Sequence, residues 1–482
     1  MKESLLSIPS SPSCIGEQKR EKVMAASTPK DNARHQQKVD AVVKSVKEHA
    51  SSCRRGEFFS LKKAAVSHLV PNPRDPKHRD VKIDLVSLNE ILEIDPKSRI
   101  CVAEPGVTFE ALVRETLKHN LVPFIVPELK TITVGGAVAG GAAESMSFRY
   151  GLFHESCVEY DLVTGTGEVL SCAADQNGEI FEMVNSSFGT LGILTRLKLK
   201  LLPATPFVRV DYLHLPDLDS FLDAIQQHSK SSDVDFMDGI VHSPREFVLC
   251  LGRFVEEAPH AHRYLWEIYY QSTRKRESDY LRTQDYMFRY DRDNFWVSRN
   301  FGQENKLIRL LSLPVAPDST RMFSLARRFP FLVAGTSDVA VDAAIPVDHM
   351  RAFFDWYLEV FNYFPLWILP YRIEKMYPWV NPDFSAEMKN NLLIGCGIYG
   401  FRQDGRRNYY KALEEKVFDL KGLKVLISHN YYDESTFWKI YDRESYQKVK
   451  KITDPQNLFR DLYQKTCCAA SREASRGRID GA

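Results

Sequence analysis

The sequence predicts an α+β fold in two domains, a glycine-rich domain followed by an aromatic-rich one. Its 482 residues exceed the size of one ordinary domain. Of the 24 glycines, 11 lie between Gly106 and Gly192, whereas 45 of the 55 aromatic residues, including all six tryptophans, follow residue 205. The predicted boundaries are 1–35 for a disordered leader, 36–205 for the first domain, 206–465 for the second domain and 466–482 for a tail.

The first domain is predicted from short elements that follow one another closely. Val39, Val42, Val43 and Val46 are spaced as on one face of an amphipathic helix. The following predictions are strands at 81–85, 90–95 and 99–104, a helix over Phe109–Leu117 and an apolar run at 121–126. This order of strands and helix is typical of an α+β domain.

The second domain is predicted to contain an antiparallel sheet covered by helices. Val208, Val210 and Tyr212 alternate with charged residues, as in a half-buried strand. The other predicted elements are a helix at 218–228, hairpin strands at 235–241 and 247–255, a strand at 339–345, a helix at 348–361, a strand at 393–398, a helix at 406–420 and a strand at 424–428. Between the two groups lies a helical, aromatic-rich insert, predicted at 259–336.

Charge and cysteine usage exclude several classes of protein. With 64 Lys+Arg against 63 Asp+Glu, the net charge of +1 argues against a nucleic-acid partner that needs a bulk positive field. The nine cysteines include no C-x-x-C pair and no cluster with zinc spacing, so we expect a reducing compartment and no metal. No window reaches the ~20 apolar residues of a membrane span. We therefore expect an intracellular protein, cytoplasmic or peripheral on an internal membrane.

The most informative segment is Pro127–Gly141, which contains two glycine pairs, Gly135-Gly136 and Gly140-Gly141. Glycines let the backbone approach a ligand closely, and consecutive N–H groups in such a loop can cradle phosphate oxygens. The spacing is neither G-x-G-x-x-G nor that of a P-loop. A second compact motif, Ser187–Thr195, follows about forty residues later and contains Gly-Thr-Leu-Gly-Ile.

Together, the two motifs resemble the FAD-binding domain of the vanillyl-alcohol-oxidase/p-cresol-methylhydroxylase (PCMH-type) family over residues 38–205. The resemblance implies an FAD-binding PCMH-type domain followed by a substrate (cap) domain. In the family, the first motif faces the pyrophosphate and the second lines the ribityl and adenine side. The implied FAD-binding residues are Lys62, Lys63, Thr133, Val134, Gly135, Gly136, Gly140, Ser145, Arg149, Tyr150, Gly151, Gly189, Thr190, Leu191, Gly192 and Ile193.

One segment departs from the family pattern. Where the family has a glycine-rich loop whose histidine often carries the flavin covalently, this chain has Ser60–His68, which contains no glycine. Lys62 and Lys63 can still neutralise phosphate charge. We therefore expect FAD to be bound non-covalently rather than through His68.

The rest of the chain resembles the delta-24 sterol reductase branch of this family and its bacterial relatives that reduce methylene-branched fatty acyl chains. The motifs that carry this resemblance are Glu144–Glu155, Phe288–Trp296, Pro365–Pro370, Gly395–Gly400 and Glu434–Trp438. It implies an FAD-dependent oxidoreductase that reduces a carbon–carbon double bond of a sterol or fatty acyl lipid with NADPH, in peripheral association with a membrane. The alternatives are an oxygen-using oxidase of small alcohols and a flavin- or lipid-binding protein without turnover.

Reduction of an isolated alkene needs a hydride at one carbon, a proton at the other and a dry apolar pocket. Because aromatic side chains bury large areas, they suit such a pocket. The candidate proton donors are Tyr290, Tyr371 and Glu144, followed by His154 and His429. The candidate pocket residues are Asp291, Asn294 and Trp296, and the arginines considered for NADPH phosphates are Arg149, Arg289, Arg292 and Arg299.

Overall fold

The computed structural model describes residues 29–52, 56–65, 75–312, 318–328, 339–388 and 390–467. Three sequence-based expectations lie outside these residues: most of the leader at 1–35, the flavin-linking histidine considered at His68, and the tail from residue 468 onward.

The first helix, α1 (Pro29–Ser52), begins inside the predicted leader. Its valine stripe is buried, with Val39, Val42 and Val46 at most 4 % exposed. Lys38 Nζ and His35 Nδ1 each lie 2.8 Å from the buried carboxylate of Glu104, which fixes the helix on the body of the protein. The prediction of a disordered leader through residue 35 is therefore wrong for residues 29–35, because these ion pairs order the start of the helix.

The first sheet is built from the glycine-rich half. Its bounds are β3 (Ile91–Asp95), β4 (Ile100–Ala103), β5 (Leu121–Pro123), β6 (Cys157–Val163), β7 (Val169–Ala173) and β8 (Ile193–Pro203), and the order is β3-β4-β8-β6-β7, with β5 also paired to β8. Beside it, β1 (Phe59–Lys62) and β2 (Val81–Asp84) form a separate parallel pair. The helices of this half are α2 (Phe109–Leu117), α3 (Val134–Gly140), α4 (Ser147–Tyr150) and α5 (Gly178–Val184).

The second sheet has eight antiparallel strands in the order β12-β9-β11-β10-β14-β15-β13-β16. Its bounds are β9 (Phe207–Leu215), β10 (Phe236–Ser243), β11 (Glu246–Val255), β12 (Ser278–Arg282), β13 (Val339–Pro346), β14 (Leu366–Arg372), β15 (Leu392–Phe401) and β16 (Leu423–Lys424). The helices α6 (Leu218–His228), α11 (Met350–Val360) and α13 (Tyr409–Asp419) share one buried core with it. Another core contains residues of both sheets, such as Leu197 and Leu369. The predicted α+β fold class is confirmed.

The insert is not purely helical. It contains α7 (Tyr269–Ser272), α8 (Thr283–Met287), α9 (Lys306–Ser312) and α10 (Ser319–Arg328), together with the edge strand β12, which pairs with β9. Along β12, Asp279 and Leu281 are buried between more exposed neighbours. This alternation suits a strand with one covered face, and it corrects the expectation of a helical segment there.

The last helices return to the first half of the chain. They are α12 (Pro382–Ala386), α14 (Glu434–Ile440), α15 (Arg443–Thr453) and α16 (Leu462–Thr466). From α15, Tyr446 Oη donates to Thr190 Oγ1 at 2.8 Å and Lys450 Nζ donates to the carbonyl of Thr190 at 2.7 Å. The predicted boundary between the domains stays a prediction, but residues 443–466 pack on the glycine-rich half. No helix among the described residues combines the length and apolar character needed to cross a bilayer.

Candidate functional site

A cavity of about 1310 Å³ is lined by residues of both sheets. It exceeds the range of about 300–1,000 Å³ that is typical of a site for one drug-sized ligand. The glycine-rich half contributes Pro105, Thr133, Gly136, Gly140 and Gly189, and the aromatic-rich half contributes Asn294, Phe295, Trp367, Leu369 and Tyr399. The volume is therefore suited to a large cofactor together with a second molecule.

One region of the cavity, formed by Lys62, Lys63, Lys77 and Lys465, is basic. Lys62 and Lys77 lie within 2.8 Å of the carboxylates of Asp84 and Asp75. Within the described residues, no carboxylate forms an ion pair with Lys465, whose Nζ donates to the carbonyl of Phe188 at 2.5 Å. Burial, together with repulsion from Lys63 and Lys77, lowers the pKa of Lys465 to about 7. An excess of positive charge with so little compensation favours an anionic ligand in this basic region.

The first glycine motif forms a helix rather than the predicted loop. Thr133 caps α3 by accepting a hydrogen bond from the Gly136 N–H at 3.3 Å, so Gly135 and Gly136 lie in its first turn. A Cβ at Gly135 would lie 2.5 Å from Cβ of Pro105, which means that this glycine is required for packing. At Gly140 the nearest atom to an added Cβ is a ring carbon of Phe188 at 3.9 Å. The position open to a ligand is therefore Gly140.

The second motif turns sharply beside the cavity. Phe188 and Gly189 have positive φ values of 55° and 70°, and both line the cavity with Gly192. A Cβ at Gly192 would lie 2.9 Å from the carbonyl oxygen of Val163, which only glycine avoids. Thr190 is engaged by α15, as described above, and Leu191 and Ile193 are buried in the hydrophobic cores.

Several residues of the predicted FAD site do not line the cavity. They are Val134, Ser145, Arg149, Tyr150, Gly151, Thr190, Leu191 and Ile193. Arg149 donates to the carbonyls of Ser231 and Val234 at 3.0 and 2.6 Å, and the Met237 N–H donates to the carbonyl of Ser145 at 2.7 Å. Arg149 and Ser145 thus join the two halves of the molecule. The cavity instead receives Lys62, Lys63, Thr133, Gly135, Gly136, Gly140, Gly189 and Gly192 from the predicted set.

A second region of the cavity, formed by Phe295, Trp367, Leu369, Tyr371 and Tyr399, is mainly aromatic. The β14 residues 367, 369 and 371 share one face of the strand, because side chains alternate along it. The ring centroids of Phe295 lie 4.9 Å from Trp367 and 4.7 Å from Tyr399. This aromatic region suits an apolar ligand.

Of the predicted pocket residues, only Asn294 reaches the cavity. Asp291 accepts hydrogen bonds from the Lys130 N–H at 3.0 Å and from Ser319 Oγ at 2.6 Å. Trp296 is fully buried and donates from Nε1 to the carbonyl of Tyr399 at 2.9 Å. These two residues therefore support the wall of the cavity from behind.

The predicted proton donors are in different positions. Tyr371 and Glu144 line the cavity, whereas the hydroxyl of Tyr290 donates to Asp238 at 2.7 Å away from the lining. His429 lines the cavity as well. His154 does not, and burial lowers its pKa to about 3.

Two acidic residues of the cavity wall were missed by the sequence analysis. Glu128 ends the apolar run at 121–126, where its charge was the only signal. Asp342 interrupts the strand β13, accepts a hydrogen bond from the Tyr399 hydroxyl and has its pKa raised to about 6 by burial. Lys465 was missed because it lies near the end of the chain, far in sequence from both glycine motifs.

One cluster outside the cavity has the composition of a metal site. Among the described residues, His260, His262 and Asp279 place three ligand atoms within 4.8 Å of one another. Arg276 Nη1 lies 3.0 Å from the carboxylate of Asp279 and 2.8 Å from Nδ1 of His262. The guanidinium already supplies the positive charge there, so the cluster is explained as an ion-pair network.

Comparison with known proteins assigns the first half of the chain. Residues 64–173 match the family model described as an FAD binding domain. The Delta(24)-sterol reductase of Homo sapiens is 26% identical over 411 residues, which cover 82% of this chain and 78% of the relative. The Delta(24)-sterol reductase homolog of Caenorhabditis elegans is 25% identical with 94% and 91% coverage, and the Delta(24)-sterol reductase of Arabidopsis thaliana is 23% identical with 90% and 84% coverage.

A more distant similarity covers only part of the chain. Cytokinin dehydrogenase 7 of Oryza sativa subsp. japonica is 30% identical over 138 residues, or 28% of this chain. The predicted resemblance to PCMH-type FAD-linked oxidoreductases and to the sterol reductase branch is confirmed. The chain is an FAD-dependent oxidoreductase.

Proposed function

We propose that this FAD-dependent oxidoreductase reduces an isolated carbon–carbon double bond in the apolar part of a sterol, using NADPH as electron donor. The single observation that carries the proposal is one cavity that joins a basic, glycine-walled region to an aromatic region. The Delta(24)-sterol reductases, which match over most of the chain, support the choice of substrate.

The residues of the cavity fit non-covalent FAD. Lys62, Lys63 and Lys465 would hold its phosphates, since Lys465 has no carboxylate partner among the described residues. Gly140 leaves room for the cofactor beside α3. When bound, FAD supplies the hydride for one carbon of the double bond.

The aromatic region would take the apolar substrate. Phe295, Trp367 and Leu369 exclude water from the reacting carbons and orient them by shape. Dry surroundings also keep an acidic side chain protonated until the reaction uses its proton. A long acyl chain would meet the same surfaces, so the methylene-fatty-acyl substrate is the second arm of the test.

The function is tested by anaerobic stopped-flow spectroscopy of the purified protein. NADPH should bleach the flavin absorbance, and a sterol with a side-chain double bond should restore it. Restoration by a methylene fatty acyl lipid but not by the sterol would assign the acyl substrate. Restoration by oxygen and a small alcohol cycle would indicate an oxidase, and a flavin that no lipid reoxidises would contradict catalysis of alkene reduction.

Replacing Gly140 by leucine should weaken FAD binding without unfolding the protein. The new side chain enters the cavity, where a steric conflict of about 1–3 kcal/mol corresponds to about 5- to 150-fold weaker binding. Fluorescence titration of the apoprotein with FAD measures this change. The control is Gly178→Leu, since Gly178 also lies at a helix end with open space around it, its nearest atom being the Ala173 carbonyl oxygen at 3.9 Å. Equal affinity of both variants would contradict the FAD position.

FAD affinity should fall as the pH rises above 7. The pKa of Lys465 is about 7 without the cofactor, and phosphate oxygens would raise it, so binding takes up a proton above that pH. Linkage then weakens binding by up to about tenfold per pH unit until the raised pKa is reached. The same titration from pH 6 to 9 measures the slope.

Two substitutions identify the lysine responsible for this pH dependence. Lys465→Met should bind FAD weakly at every pH, and Lys465→Arg should bind it tightly with a flat profile, because arginine keeps its charge. A wild-type slope in Lys465→Met would show that another group titrates.

A further inference from the structure

Three carboxyl groups surround one guanidinium beside the cavity. Arg289 Nη1 lies 2.6 Å from Oε1 of Glu128, and Nη2 lies 3.1 Å from Oε1 of Glu144 and 3.2 Å from Oδ1 of Asp238. The four side chains are at most 5 % exposed. The guanidinium also lies over the Tyr286 ring, 4.2 Å from its centroid, so it is held on more than one side.

The charges of this group do not balance. Three carboxylates and one guanidinium would leave two uncompensated negative charges in a buried site, which folded proteins avoid by binding protons. Asp238 accepts hydrogen bonds from the Tyr290 hydroxyl at 2.7 Å and from Trp367 Nε1 at 3.1 Å, which stabilise its charged form. Glu144 accepts from both the N–H and the hydroxyl of Ser145.

Glu128 has the weakest set of donors in the group. Apart from Arg289, its carboxyl faces the Tyr290 N–H at 3.4 Å and the carboxyl of Glu144, with which it forms a hydrogen bond. A hydrogen bond between two carboxyl groups requires a proton on one of them. Burial, followed by the nearby Glu144 charge among the opposing influences, raises the pKa of Glu128 well above its usual value.

The carboxyl pair also lies where an acid could act. Glu128 and Glu144 both line the cavity, as do Asn294, Phe295 and Trp367. Trp367 and the ring of Phe295 are in contact, and Trp367 donates to Asp238 of the same charged group. The buried group is therefore continuous with the aromatic region of the cavity.

We propose that Glu128, paired with Glu144, is the catalytic acid that protonates the substrate alkene. This role rests on the proposed function. One alkene carbon receives hydride from reduced FAD and the other receives the Glu128 proton, so the π bond is lost and two C–H bonds form. Reduced FAD is oxidised in this step, and NADPH reduces it again. Glu128 is left as a carboxylate, which Arg289 stabilises until a proton from water replaces the one transferred.

The test separates the two half-reactions of the FAD-loaded protein. In Glu128→Gln, NADPH should bleach the flavin at a rate within about twofold of wild type, whereas reoxidation by the alkene should slow by at least about 100-fold. Glu128→Asp, which keeps an acid, should recover part of this loss and shift the pH profile of reoxidation. Should Glu128→Gln fail to bind FAD, Glu128→Asp carries the test, because a merely structural glutamate predicts no change in its pH profile.

The matched control is Glu104→Gln. Glu104 is also a buried glutamate paired with a cation, Lys38 at 2.8 Å, but it does not line the cavity. Its reoxidation rate should stay within about twofold of wild type. Normal reoxidation in Glu128→Gln together with its loss in Tyr371→Phe or Asp342→Asn would overturn the role of Glu128.

Infrared difference spectra give a readout that is independent of turnover. At pH 7 the wild-type protein should show the C=O stretch of a protonated carboxyl, and Glu128→Gln should lack it. Absence of that band from wild type overturns the protonated acid even if sterol reduction occurs. Conversely, a wild-type flavin that no alkene reoxidises contradicts the proposed function, and the catalytic role of Glu128 with it, whatever the infrared result.

Discussion

Replacing Arg289 by methionine should lower the free energy of unfolding by about 3–5 kcal/mol. The guanidinium is fully buried and is the cation shared by Glu128, Glu144 and Asp238. Methionine fills a similar space but leaves three carboxyl groups without positive charge. Urea unfolding at pH 7 measures the loss.

The pH dependence of this variant distinguishes lost charge from lost packing. Carboxyl groups whose pKa is raised in the folded state stabilise the fold when protonated, so the deficit of Arg289→Met should shrink as the pH falls toward 4. The control is Arg274→Met, because Arg274 pairs with Glu246 at 2.6 Å on the surface, where about 49 % of its side chain is exposed. There the expected loss is below about 1 kcal/mol. A deficit in Arg289→Met that is independent of pH would indicate packing alone.

Replacing Lys450 by methionine should cost a similar 3–5 kcal/mol and should also release FAD. Lys450 Nζ donates to the Thr190 carbonyl at 2.7 Å, to Asp454 at 2.7 Å and to the Phe459 carbonyl at 2.8 Å, and its side chain is 2 % exposed. It thus ties α15 to the second glycine motif. Without the lysine, the motif loses a buried hydrogen bond and Asp454 loses its cation.

The same helix provides the control for this substitution. Lys448 pairs with Glu179 at 2.6 Å, yet both side chains are more than 60 % exposed. Lys448→Met should therefore change the free energy of unfolding by less than about 1 kcal/mol and leave FAD affinity unchanged. Thermal unfolding with bound FAD compares the two variants. If Lys450→Met retained FAD as well as Lys448→Met does, α15 would have no part in holding the motif.

The elements that the sequence located correctly have strong local signals. The valine stripe of α1, the apolar spacing of α2 with Thr108 as its N-cap, and the hairpin of β10 and β11 all follow from short-range periodicity and turn chemistry. The glycine segment was recognised but given the wrong local structure. Gly135 and Gly136 form the first turn of α3 because Thr133 caps it and Pro105 packs against it.

The site residues divide in the same way. Lys62, Lys63, Gly140, Gly189, Asn294 and Tyr371 could be chosen from motifs, and they line the cavity. Arg149, Tyr290 and Trp296 belong to the same motifs, yet their polar atoms bond to backbone or buried side chains. A motif fixes which residues are near a site, but the orientation of each side chain depends on its neighbours in space.

By itself, the sequence determined the α+β class and the FAD-binding half of this protein, since the periodicities and the two glycine motifs act over short distances along the chain. Only the tertiary structure decided which charged groups meet. Glu128 lies next to Glu144 and Arg289, and Lys465 reaches Phe188, across up to 277 positions of sequence. Such contacts arise because both sheets must bury their apolar faces in a common core, which brings polar side chains from distant segments to one cavity wall.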